Sequence, residues 1–162
     1  MLVSNTSTLV LLAKIGCLET FIEVSEQIII PAQVKQEALF DKESFYARLI
    51  QKLIHDGKIK TASVDKNKIS KIISQFNLDD GEAAAFAMFE SKKHKAILTD
   101  DGELIKLCKL QKVPFICAMA IVIRLYEKKK LSKEEALDKL ENLHVIGRYS
   151  ENLYKQFKSE VK

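Results

Sequence analysis

Apolar residues fall into two patterns along this chain: short unbroken runs, and longer stretches in which they recur three and four positions apart. Leu2-Val3-Ser4 reads as a short buried strand. Asn5-Thr6-Ser7 then offers cap-type side chains ahead of the helical pattern Leu9, Leu12 and Ala13, which stops at Gly16. A short helix is predicted over Leu18–Val24, then a strand at Gln27-Ile28-Ile29-Ile30, whose β-branched run suits burial on both faces. Pro31 is predicted at the first position of the next helix, continued by Ala32–Phe40. Phe45, Leu49, Ile50, Leu53 and Ile54 mark an amphipathic helix over Lys42–His55 that ends at Gly57.

The same alternation continues. Lys58–Ala62 reads as an edge strand, Asp65–Phe76 as a helix with Ile69, Ile72 and Ile73 on one face, and Asp79-Asp80 as the start of a largely buried helix running to Phe89. Lys95–Thr99 is a predicted strand ending at Asp100-Asp101, followed by a helix over Glu103–Gln111 and a brief strand at Val113–Ile116. Helices are predicted near Met119–Lys129, Ser132–Leu143 and Ser150–Lys158, with Ser132 and Glu135 spaced as a capping box. Strands alternating with helices predict an α/β fold, a three-layer α/β/α sandwich around a mostly parallel sheet. Such sheets place ligands outside the carboxyl ends of their strands. Asn5, Asp100 and Asp101 are the residues predicted there.

The length of 162 residues favours one domain over 1–162, with 131–162 forming C-terminal helices. Five glycines and two prolines leave no linker-rich or low-complexity stretch. The net charge of +4 permits an anionic partner without demanding one. Arg48, Arg124 and Arg148 are the three arginines among 26 basic residues, a balance that suits diffuse phosphate attraction better than bidentate base reading. Cys17, Cys108 and Cys117 form no CxxC pair, and an odd count argues against a disulfide framework, so a cytoplasmic setting is expected. The opening Met1-Leu2-Val3 lacks the basic leader of a signal peptide, and no apolar run approaches the ~20 residues of a membrane span.

Four places bring polar or acidic groups toward the predicted strand edge: Asn5, Glu37 on the helix after Pro31, Glu82 near a helix start, and Asp100-Asp101. Carboxylate and amide oxygens in that arrangement suit a hard cation, Mg²⁺ or Mn²⁺, one of whose waters can be activated against a phosphodiester. Each residue also has a plainer reading. Asn5 suits a turn or helix cap, Glu37 a solvated helix carboxylate, Asp79, Asp80 and Glu82 a helix N-terminus, and Asp100-Asp101 a capping turn. His55, His94 and His144 match no metal spacing and are expected in surface or capping roles, the cysteines in the core, and the lysine runs at 92–95 and 128–130 on solvated faces.

Four segments in order resemble the PIN-domain nucleases, in particular their VapC-like toxin branch. They are Leu2–Gly16, Ile30–Glu37 (IPAQVKQE), Leu78–Ala85 (LDDGEAAA) and Leu98–Asp101 (LTDD), so the resemblance is strongest over 1–130. It implies a metal-dependent endoribonuclease using Mg²⁺ or Mn²⁺, with an RNA substrate, often paired with an antitoxin protein, and homodimeric. It assigns Glu37, Glu82 and Asp100 as catalytic residues and Asn5, Glu37, Glu82, Asp100 and Asp101 as metal ligands, with Thr6 or Ser7 donating hydrogen bonds behind them. The family pattern has aspartate where this chain has Asn5. An amide oxygen still ligates a hard cation, but the site loses one negative charge. The rival implication is an inactive PIN-like RNA-binding or protein-interaction domain. A dinucleotide-binding fold is disfavoured, because Val3–Ser7 has none of the glycines of G-x-G-x-x-G.

Overall fold

A computed structural model describes residues 1–162. Its centre is a five-stranded, wholly parallel sheet. β1 (Leu2–Ser4) lies in the middle, flanked by β2 (Ile28–Pro31) and β4 (Ala96–Leu98); β3 (Ile59–Ala62) and β5 (Phe115–Ile116) form the edges, giving the order β3-β2-β1-β4-β5. Val3 lies level with Ile29 on one side and Ile97 on the other. The central strands are buried on both faces, which is why they read as unbroken apolar runs.

Helices flank the sheet as the predicted three-layer sandwich requires. α1 (Thr6–Lys14) contacts α2 (Leu18–Val24), α3 (Ala32–Ala38), α4 (Phe45–His55) and α8 (Ala118–Glu127). α6 (Asp80–Met88) packs against β1 and β2 and touches α3, α5 (Lys66–Gln75) and α7 (Gly102–Leu110). α9 (Lys133–Ile146) and α10 (Glu151–Ser159) close over α8. One cluster of 38 buried hydrophobic residues runs from Leu2 to Val161. Ala83, Ala84 and Ala85 in α6 are fully buried, and their small side chains let this helix lie close to the sheet.

Two local differences from the sequence pattern have clear causes. Pro31 ends β2 and stands at the N-cap of α3, since its extended ψ of 159° keeps it outside the helix. α4 starts at Phe45 because the Ser44 hydroxyl accepts the Ala47 N–H at 3.2 Å and so caps the helix there. Of the two roles expected for the histidines, His94 takes the capping one: it is buried, and its Nδ1 accepts the Glu90 N–H at 2.9 Å in the turn before β4. Burial holds its pKa below the ordinary histidine value.

The chain leaves β1 to build β2 and β3 on one side, then crosses to build β4 and β5 on the other. The direction reverses between β1 and β4, so the carboxyl ends of those two strands form a topological switch point, where open α/β sheets place their ligands. Asn5 follows β1 directly, and Thr99-Asp100-Asp101 follows β4.

Candidate functional site

Asn5 is locked at this crevice by its backbone, whose N–H donates to the Leu98 carbonyl at 2.9 Å. Its side chain is 3% exposed, and Nδ2 reaches the Thr99 hydroxyl at 3.5 Å. Oδ1 is buried and has no hydrogen-bond partner. Leaving a buried acceptor unpaired costs about 1–3 kcal/mol, so this oxygen is poised for a donor or a cation. The Thr99 hydroxyl also accepts the Asp101 N–H at 3.1 Å, joining the Asn5 amide to the backbone of the β4–α7 turn.

Two acidic side chains meet at the start of α6. Asp79 caps the helix by accepting the Glu82 N–H at 2.8 Å, and Glu82 Oε2 accepts the Asp79 N–H at 3.0 Å. This capping box pins Glu82 in a conformation that places its carboxyl beside the Asp101 side chain. Burial pushes the Glu82 pKa up to about 8, with the Asp101 and Asp79 charges adding to the rise against the Asp79 backbone hydrogen bond. Asp101 in turn caps α7, accepting the Leu104 N–H at 2.8 Å. Two carboxyls held this close repel one another, and a cation between them relieves the repulsion.

Glu37 approaches the same helix start from α3. Its carboxylate accepts the Thr6 hydroxyl at 2.9 Å and lies against Gly81, where any Cβ would collide with Glu37 Oε1. Gly81 therefore provides the close approach that Leu78-Asp79-Asp80-Gly81-Glu82 needs. Burial of the carboxylate raises the Glu37 pKa, Asp79 and Asp80 raise it further, and the Thr6 hydroxyl opposes them.

Asp100 turns away from this group. Oδ2 accepts the Thr8 hydroxyl at 2.6 Å, the Ala118 N–H at the head of α8 reaches both oxygens at 3.0 and 3.1 Å, and the Tyr149 hydroxyl donates to Oδ1. Ser7 accepts the Asp100 N–H at 3.0 Å, so Ser7 faces the backbone of Asp100 rather than its carboxylate. Burial raises the Asp100 pKa, opposed by these donors. The carboxylate thus caps α8 and pins Tyr149, where a negative charge also complements the helix dipole. The adjacent Cys117 thiol is pushed by burial to about 11, so it stays protonated, and all three cysteines are free.

The predicted residues therefore share one sheet edge but form two groups. Glu82 and Asp101 are in contact, with Glu37 beside the same helix start and Asn5 linked through Thr99; Asp100 is engaged with Thr8, Ala118 and Tyr149. No three His, Cys, Asp or Glu side chains converge as a complete cage. The donor set nevertheless fits a hard divalent cation: all oxygens, one of them orphaned, and a carboxyl pair that repels itself. Mg²⁺ is commonly held by one or two carboxylates and keeps several waters, so a closed cage is not required.

Tyr149, Thr8, Thr99 and Gly81 escaped the sequence reading. Gly81 has the one readable signal, a glycine between two acids at a helix start; Tyr149 reaches Asp100 across 49 positions, a pairing no local pattern encodes.

A family model described as a PIN domain matches residues 1–162. No curated protein and no solved structure matches the chain. The PIN domain is generally a nuclease fold, and PIN nucleases generally use divalent metals. With a match over its whole length and acidic residues gathered at the carboxyl edge of a parallel sheet, the chain belongs to the PIN-domain family.

Proposed function

We propose that this chain is a Mg²⁺- or Mn²⁺-dependent endoribonuclease of the VapC-like toxin type, with Glu82, Asp101, Glu37 and Asn5 as its cation-holding group. The observation that carries the reading is the pairing of the Glu82 and Asp101 carboxyls at the same sheet edge as the orphaned Asn5 oxygen, at the switch point of a PIN-domain sheet. Near neutral pH, Glu82 retains a proton next to Asp101, and loading the site displaces it. When bound, the cation supplies an activated water and a positive charge opposite the developing phosphorane. Thr6 orients Glu37, while Asp100 holds the β4–α8 region in place rather than ligating. An antitoxin partner, a homodimer and a cytoplasmic setting belong to the same proposal and rest on the toxin-type resemblance.

Asn5 and the fully engaged Asp100 favour a second reading, a PIN-like domain that binds RNA or protein without cutting. One experiment separates the two: cleavage of a labelled RNA panel and matched DNA in Mn²⁺ by the parent, Asn5→Asp and Glu82→Gln chains. The nuclease reading expects RNA cleavage that rises in Asn5→Asp and vanishes in Glu82→Gln. Equal inactivity of all three, with Mn²⁺ bound, selects the non-catalytic domain.

A further inference from the structure

A cleft of about 600 Å³ opens beside the acidic edge, between the β4–α7 turn, β5 and the joint of α9 with α10. That volume lies within the roughly 300–1,000 Å³ range of small-ligand sites. Asp101 stands at its boundary with the candidate cation group, and Lys109, Phe115, Arg148 and Tyr149 line it. None of the last four is used by the reading above, apart from the Tyr149 hydroxyl on Asp100.

Charge and rigidity set this lining apart. Arg48 pairs with Glu43 at 3.0 Å and Arg124 with Glu127 at 3.6 Å, but Arg148 has no carboxylate within 4.0 Å. Lys109 is likewise free of carboxylates, its ammonium 5.9 Å from the centre of the Phe115 ring. Of the three acids lining the cleft, Glu103 is paired with Lys106 at 3.1 Å, Asp100 is occupied by its own donors, and Asp101 stands on the side of Glu82, paired with neither Arg148 nor Lys109. The Tyr149 ring is fixed at both ends. Its hydroxyl is held by Asp100, and its edge rests on Gly147, where a Cβ would lie 2.6 Å from Cε2. A preset aromatic ring loses little entropy on stacking, and unpaired cations next to it suit a phosphate.

We propose that this cleft seats one nucleotide of a single-stranded RNA, its base on Tyr149 and Phe115 and its phosphate on Arg148 and Lys109, next to the phosphodiester presented to the acidic edge. This rests on the ribonuclease reading above and adds to it a seat for one base and its phosphate, which only an unstacked base can enter.

The test uses an oligouridine carrying one 5-iodouridine, bound to the full chain in chelator so that it stays intact, then irradiated and mapped by mass spectrometry. Crosslinks are expected on Tyr149 or Phe115. Tyr149→Leu, by loss of a stacking partner, and Arg148→Ala, by loss of a phosphate partner, should each weaken binding about tenfold, and Tyr149→Phe, which keeps the ring but not its anchor on Asp100, should lose less than Tyr149→Leu. Should Tyr149→Leu fail to fold, Phe115→Leu and Arg148→Ala carry the same comparison. Crosslinks confined to other surfaces, or unchanged affinity in Phe115→Leu and Arg148→Ala, overturn the subsite. RNA cleavage by Asn5→Asp with no crosslink in the cleft removes the subsite and leaves the nuclease. Crosslinks in the cleft without cleavage by Asn5→Asp do the reverse.

Discussion

Asp100 and Asp101 are neighbours in sequence and opposites in environment. Asp100 receives hydrogen bonds from Thr8, Tyr149 and the head of α8, so its charge is spent on holding the fold. Asp101 receives the α7 cap bond from Leu104 and faces Glu82, another carboxyl. The first group is satisfied as it stands, and the second is not. The difference separates an anion that stabilises the protein from a pair that gains by binding something positive, although both look alike as letters.

Breaking the satisfied side should have the largest effect. Asp100→Ala strips three donors of their acceptor, including the Ala118 N–H, and should cost about 3 kcal/mol in urea unfolding, the sum of a lost cap and buried unpaired donors. Asp100→Asn keeps one acceptor oxygen and should cost less. A loss under about 0.5 kcal/mol in Asp100→Ala would remove the anchoring role.

Charge added on the unsatisfied side should come next. Asn5→Asp should tighten Mn²⁺ binding about tenfold by calorimetry, roughly 1.4 kcal/mol, while the helix start survives because aspartate suits that position as well as asparagine. Unchanged affinity would mean that charge at position 5 does not limit the site.

Glu82→Gln sharpens the contrast through pH. The folded-state pKa of Glu82 is raised to about 8, so between its ordinary value of 4.5 and about 8 the folded chain holds more protons than the unfolded one. Stability in chelator therefore falls as pH rises through that window. Glutamine still completes the capping box but carries no charge, so Glu82→Gln should flatten this fall, exceed the parent's unfolding stability at pH 8 by up to about 1 kcal/mol, and lose any stabilisation by Mn²⁺. Identical pH profiles in chelator would contradict the carboxyl contact.

Thr6→Val should give the smallest change, about 0.5–1 kcal/mol at most, since it deletes one hydrogen bond to Glu37 at an exposed position. Its use is to ask whether Mn²⁺ affinity drops while the melting temperature barely moves, as orientation of a ligand requires.

Much of the fold could be read from the chain because its cause is local. Leu2–Ser4, Ile28–Ile30 and Ala96–Leu98 are short apolar runs, and only burial on both faces of a parallel sheet accommodates them. Asn5, Glu37, Glu82, Asp100 and Asp101 could be placed at one edge because strand ends and helix starts fix where residues fall. Which way each carboxylate turns could not be read. The Glu82–Asp79 capping box, the room left by Gly81 and the reach of Tyr149 to Asp100 are set by tertiary packing, and together they divide the acids into two groups.

The most direct test is anomalous diffraction from crystals soaked in Mn²⁺. A single peak contacting the Glu82 and Asp101 carboxylates on the Asn5 side, with the Tyr149–Asp100 hydrogen bond intact, is the predicted result. A peak on Asp100 with Tyr149 displaced, or no peak near Glu82 at a concentration where calorimetry shows binding, would contradict the division between the anchoring and the cation-holding acids.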